Sequence, residues 1–201
     1  MARNTAAHAE ELTLEAWGDL PEDEPGELVD GRLEEEEMPT RVHEAVVFWL
    51  LFELGRWGRP DKARIYGSEL KLAVGPRRGR KPDINVFLAG TSRSRGDAPL
   101  QRHPPDLVIE VVSPRPSDGR RDRVEKPDDY ARFGVRFYWI VDPHLRSIEV
   151  LERDERGRYV RALAASAGTI MPPGLDGLTL DLDALWAEVD EELASGDDAA
   201  D

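Results

Sequence analysis

The chain predicts a mixed α/β fold, with one central mixed β-sheet flanked by helices. Three observations carry that expectation. Residues 82–88 and 106–112 are aliphatic at nearly every position, the pattern of strands covered on both faces. Residues 39–56 instead repeat apolar side chains at helical spacing. Strand-like and helix-like segments are interspersed along 201 residues, enough for one domain with a real core.

The elements follow in order. Residues 12–20 read as a short helix with Thr13 as N-cap, broken at Pro21 and Gly26. Residues 27–29 read as a strand that turns at Asp30-Gly31 into a second strand from Arg32; Asp-Gly is a strong hairpin signal. A helix follows from Pro39-Thr40 to about Arg56. Val42, Ala45, Val46, Trp49, Leu50 and Leu54 share one of its faces, and Gly58 stops it. Residues 63–74 are expected as one strand, 75–79 as a loop, and 82–88 and 106–112 as the buried strands. Residues 113–119 form a loop before a helix ending at Gly134. Strands are then expected at 137–141, 147–152 and 159–164, and a last short helix at 183–189. Residues 1–8 and 190–201 are polar and are expected to be disordered tails around a single domain, 9–189.

Composition excludes several classes. There are no cysteines, so a disulfide framework, a thiolate zinc site and a cysteine nucleophile are ruled out. The longest apolar run, residues 45–52, is far short of a membrane span, and no signal-peptide pattern opens the chain. A soluble cytoplasmic protein without a membrane partner is expected. The net charge is -14, yet it is unevenly spread. Residues 1–55 carry 15 acidic and 3 basic side chains, residues 56–136 carry 11 and 19, and residues 137–201 carry 15 and 5. A local basic face can bind phosphate on an acidic molecule. Solvated arginine-rich loops explain the same count equally well.

Four side chains suggest chemistry. Glu110 stands among Leu107, Val108, Ile109, Val111 and Val112, where an ionised carboxylate is costly unless a cation or a buried arginine meets it. Asp83 begins its strand after a proline, as does Asp106. Asp106 and Glu110 share a face but lie roughly 13 Å apart along one strand, too far to share an ion. Asp83 is on another strand; if the two strands are neighbours, its carboxylate falls about 5 Å from Glu110. Asp83 is therefore preferred as the metal ligand with Glu110, and Asp106 is expected to end a loop or to anchor a basic residue. Glu27 is an acid among many in its region, and Glu69 is a secondary candidate. Lys126, one of only four lysines, lies at the start of the helix that follows Glu110, from where it can reach back over the strand ends. A surface pair with Asp122 or Asp129 is its ordinary alternative. The four histidines are read as non-catalytic, and Tyr130, Tyr138 and Trp139 as core.

The stretch Pro105-Asp-Leu-Val-Ile-Glu-Val-Val-Ser-Pro114, with Glu125-Lys126, Tyr130-Ala131 and Tyr138-Trp-Ile-Val-Asp-Pro143, resembles the Uma2 family of restriction-endonuclease-like proteins. Glu27-Leu-Val-Asp-Gly31, Arg80-Lys-Pro-Asp83 and Leu180-Asp-Leu182 extend the resemblance over most of residues 12–188. It implies a PD-(D/E)XK nuclease core and a metal-dependent endonuclease using Mg²⁺ or Mn²⁺ on DNA. By this resemblance Glu27, Asp83, Glu110 and Lys126 are catalytic, with Asp83 and Glu110 on the metal. The superfamily's lysine usually lies two residues after the glutamate; here that position is Val112, and the matching lysine is Lys126 on the next helix. Pro127 fits a first helical turn but not an interior, so a helix beginning after Lys126 is an open alternative. Two other functions stay open: a nuclease-fold binding module without catalysis, and a hydrolase of another phosphodiester. A homodimer is compatible with cutting two strands.

Overall fold

A computed structural model describes residues 11–21, 26–34, 38–59, 62–114 and 121–195. Within them six strands form the main sheet. In spatial order these are β10 (Tyr159–Ala165), β9 (Ser147–Arg153), β8 (Phe137–Asp142), β7 (Leu107–Val111), β6 (Ile84–Leu88) and β3 (Ala63–Tyr66). β7 and β8 run parallel and the other neighbours antiparallel, so the sheet is mixed, as expected. Helix α3 (Lys126–Phe133) makes the crossover that a parallel pair requires.

Alternation along β7 decides what faces what. Ile109 and Val111 turn toward α2 (Arg41–Gly58) and α4 (Leu182–Ala194), joining Val46, Leu50, Leu54 and Leu185 in the larger core. Val108 turns the other way, toward Tyr130 of α3 and Tyr138 of β8. Glu110 has the parity of Val108 and so projects to the α3 side. Each large aliphatic chain buried in these layers stabilises the fold by about 1.5–3 kcal/mol, and that burial fixes the register.

The second sheet has the order β2 (Arg32–Glu34), β1 (Glu27–Val29), β5 (Arg78–Arg80), β4 (Leu72–Gly75). The β1–β2 turn uses Asp30 and Gly31 at φ 51° and 81°, the left-handed pair that a tight hairpin needs. The short helix α1 (Leu14–Gly18) starts at the expected cap: Thr13 accepts from the Ala16 N–H at 3.1 Å. Its Trp17 packs flat against Gly79 of β5, where a Cβ would overlap the indole.

Three expectations are corrected. Residues 63–74 are not one strand. β3 belongs to the large sheet and β4 to the small one, and residues 75–79 are not a loop but the β4–β5 hairpin. Alternation continues through the break, so periodicity could not reveal that the partners change. Residues 190–194, assigned to a tail, complete α4. Helix-forming Glu and Ala continue there, and Arg41 and Arg146 reach back to Glu192 and Asp190. As expected, Lys126 stands at the start of its helix: α3 begins there, with Pro127 in its first turn, and the alternative of a later start does not hold. A π-helical turn, Arg121–Glu125, leads into it. The small pair β11 (Thr169–Ile170) and β12 (Leu180–Asp181) was not expected. The tails 1–8 and 196–201 and most of the 113–119 loop lie outside the described residues.

Candidate active site

Antiparallel pairing of Ile84 with Ile109 sets Asp83 across from Glu110, one position further along the two strands. The Asp83 carboxylate turns onto the end of β7, where its Oδ2 accepts the Val111 N–H at 2.7 Å. His43 Nε2, from the first turn of α2, lies 3.3 Å from the same oxygen. The helix start that places His43 is itself capped: Thr40 accepts the His43 N–H at 3.2 Å.

Glu110 is 3 % exposed and both of its oxygens are engaged. Oε2 accepts from Lys126 Nζ at 2.8 Å, and Oε1 accepts from the Tyr130 hydroxyl at 2.6 Å. Lys126 also pairs with Asp122 Oδ1 at 3.0 Å, so one ammonium serves two buried carboxylates. The π-helical turn makes this possible. It carries Asp122 inward, and Tyr138 holds it by donating to the Asp122 carbonyl at 2.8 Å. Such turns are frequent at functional sites.

Glu27 lies apart from this set in its bonding. It is buried, pairs with Arg80, and accepts the Lys81 N–H at 3.0 Å. Arg80, itself wholly buried, bridges on to Asp129 of α3 at 2.7 Å. The Glu27–Arg80–Asp129 chain therefore ties the small sheet to the helix that presents Lys126. Asp106 anchors a loop, accepting the Leu88 N–H at 2.7 Å and the Thr91 hydroxyl at 2.6 Å. Glu69 pairs with Lys81 at 3.0 Å on the rim.

Asp83, Glu110, Asp122, Lys126 and His43 line a cleft of about 200 Å³, with Arg121 at its edge. The electrostatics follow from burial. Desolvation pushes the Glu110 carboxyl well above the usual range; Lys126 opposes this, while the charges of Asp122, Asp83 and Glu27 add to it. Desolvation and the same neighbours raise Asp122, again against Lys126. Burial alone would lower Lys126, but Glu110, Glu27, Asp122 and Asp83 together raise it well above normal, so it stays an ammonium. Burial also works against His43 carrying a proton, yet Asp83 and Glu44 raise it above 6.5.

Several bases of the middle of the chain are paired among the described residues. Arg78, Arg80 and Arg123 meet Asp30, Glu27 and Asp142 from the two ends of the sequence, and Lys81 meets Glu69 of the middle itself. Arg121 is the looser exception at the cleft, 3.7 Å from Glu34 and 25 % exposed.

The residues missed in sequence were His43 and the hydroxyl of Tyr130; Asp122 was named there only as a surface partner of Lys126, and the pair forms but is buried. Asp122 had a signal, an acid one helical turn before Lys126. His43 had only its place at a helix start, and Tyr130 looked like any core aromatic.

A mixed sheet with helices on both faces, and carboxylates and a lysine converging at the ends of two central strands, defines a restriction-endonuclease-like fold. The model of the Uma2 family, described as "Putative restriction endonuclease", matches residues 10–183, and the chain belongs to that family. A crystal structure of a "putative nuclease belonging to DUF820" from Anabaena variabilis ATCC 29413 superposes with a TM-score of 0.72 at 22 % identity. The match covers 89 % of this chain and 99 % of that one, and it shows the shared fold. No curated protein matches the chain. Among the described residues no helix is long and apolar enough to cross a membrane.

Proposed function

We propose that this chain is a metal-dependent endonuclease that hydrolyses DNA phosphodiester bonds. The observation that carries the reading is Glu110, a carboxylate from the middle of the sheet, set in register with Asp83 and bonded to Lys126 at the floor of a cleft.

The donors suit a hard divalent cation. Asp83, Glu110 and Asp122 offer oxygens, with Lys126 shared between Glu110 and Asp122 and His43 beside Asp83. Among the described residues no group of three ligand side chains stands ready to hold an ion. Mg²⁺ or Mn²⁺ would be held by Asp83 and Glu110, the one or two carboxylates that Mg²⁺ sites in phosphate chemistry use. When bound, such an ion supplies Lewis acidity and a lowered water pKa.

The protein's own groups do the rest. Hydrolysis adds water oxygen to phosphorus and breaks one P–O ester bond, so negative charge grows on the phosphate. Lys126, a fixed ammonium, faces that charge and acts as an electrostatic donor rather than a base. Asp122 and Tyr130 hold Lys126 and Glu110 in place. Glu27 acts on the same centre through Arg80, Asp129 and α3. Arg121 is placed to take a flanking phosphate. The test is Mn²⁺ titration calorimetry together with DNA cleavage. Glu110→Ala should lose both; cleavage equal to wild type would refute the assignment.

One observation favours a second reading, a nuclease-fold binding module without catalysis. Both Glu110 oxygens already accept bonds from Lys126 and Tyr130. An intact fold that takes up no Mn²⁺ would establish it.

A further inference from the structure

Helix α2 is apolar on two sides. Its inner face, Val46, Leu50 and Leu54, is fully buried in the core. Its outer face carries Ala45, Phe48 and Phe52, at spacings of three and four residues that align them along one stripe. Phe48 is 71 % exposed and Phe52 55 % exposed. With Trp49 they floor a groove of about 760 Å³ that α4 borders with Glu188 and Glu192. Exposed aromatics lining a groove mark an interaction site more often than scattered surface apolars do.

The rim indicates the occupant. Arg41 is spent on Glu192 at 3.6 Å and Arg56 on Glu53 at 3.2 Å. Glu188 has no lysine or arginine partner among the described residues, and Glu44 meets the His43 imidazole at 3.4 Å. The groove is thus apolar inside and net acidic outside. A second copy of this chain would bring two acidic rims together, and a nucleic-acid backbone would be repelled. Two helices form the groove, so the fitting shape is a third helix laid between them.

We propose that the α2–α4 groove docks an amphipathic helix of a protein partner, its apolar stripe on Phe48 and Phe52 and its basic flanks on Glu44 and Glu188. The groove shares Pro39 and Glu44 with the cleft of Asp83 and Glu110. The docked helix therefore lies beside the cleft entrance. The proposal stands whether or not the cleft is catalytic.

The probe is a fluorescein-labelled model helix with leucines at a helical stripe and lysines on both flanks. A peptide of the same composition with the stripe scrambled is the control. Fluorescence anisotropy on the full chain should show binding to the striped peptide at least about tenfold tighter than to the scrambled one. Phe48→Ser/Phe52→Ser should weaken it by about 30-fold or more, the loss expected of anchor residues. These side chains are outside the core, so an unchanged thermal midpoint verifies the variant's fold. Equal binding of both peptides, or an unaffected double variant, would overturn the proposal. So would a dimer in sedimentation equilibrium that the double variant dissolves, since the occupant would then be a second copy. An oligonucleotide that binds wild type and loses affinity in that variant would overturn it as well.

Discussion

Lys126 Nζ lies 2.8 Å from Glu110 Oε2, although 16 residues and a change of element separate them. The same nitrogen lies 3.0 Å from Asp122 Oδ1. One buried cation between two buried carboxylates is a sensitive balance, because removing one partner strands the others.

Lys126→Met should lower DNA cleavage by about 10²–10³-fold, the usual cost of losing one charge-stabilising donor. It should also destabilise the fold by about 3 kcal/mol, since Glu110 and Asp122 lose their cation. Adding Glu110→Gln should restore part of that stability. Single-turnover cleavage and urea unfolding of the single and double variants measure both effects; strictly additive losses would contradict the coupling.

Glu27 gives an acid-stability signature. Burial alone would raise its carboxyl, but Lys126, Arg80 and the Lys81 N–H hold it below 4.5. A depressed folded value means stability that is present above 4.5 and is lost as pH falls through the folded value. Glu27→Gln should be less stable at neutral pH, by about 3 kcal/mol, with Arg80 left short of a partner. Its stability should also decline less on acidification. Urea midpoints across that range measure the slope, and parallel curves for the two proteins would count against the pairing.

His43 should titrate above 6.5, because Asp83 and Glu44 outweigh its burial. The sign is that of a raised cation: the stability from this contact is full below 6.5 and is lost as pH rises through the folded value. Imidazole NMR on metal-free protein reads the midpoint. Asp83→Asn should move it downward, and no movement would show that the 3.3 Å contact carries no charge interaction.

Arg121→Ala should raise KM for DNA about tenfold while kcat changes little. That is the loss expected when one charge-assisted phosphate contact disappears. The slope of affinity against salt should fall by about one. A fall in kcat at constant KM would instead place Arg121 in the chemical step.

Gly79→Ala should cost about 1–3 kcal/mol, because a Cβ there meets the Trp17 indole and α1 must shift. Thermal unfolding measures it. Since α1 lies against the small sheet that carries Glu27, partial loss of cleavage is expected as well.

Much of the fold was legible because local rules and burial agreed. Thr13 caps its helix where expected, the long helix starts after Thr40, Asp30-Gly31 makes its hairpin, and the aliphatic runs around Ile84 and Ile109 became central strands. Whether those two strands are neighbours was open in the sequence; their pairing in the fold sets Asp83 opposite Glu110, and burial of both strands holds that register. The break between β3 and β4 was hidden, because a strand that changes sheets keeps its period of two. The reach of α4 to Ala194 was hidden because the residues beyond 189 are mostly polar and gain their hold from arginines distant in sequence.

The sequence by itself determined that Glu110 would be a buried carboxylate needing a positive partner, because apolar neighbours on a strand leave it no water. It also determined that Asp83 and Lys126 were suitable in kind to meet it. Only the tertiary structure decided how the charges are shared. A π-helical turn brings Asp122 onto Lys126, α2 brings His43 to Asp83, and Arg80 takes Glu27 out of the cleft's bonding to brace α3. It also decided that Arg78, Arg80 and Arg123 of the basic middle meet acids from the two ends of the chain. Pairing depends on distance in space, and a count of charges along the chain does not contain distances.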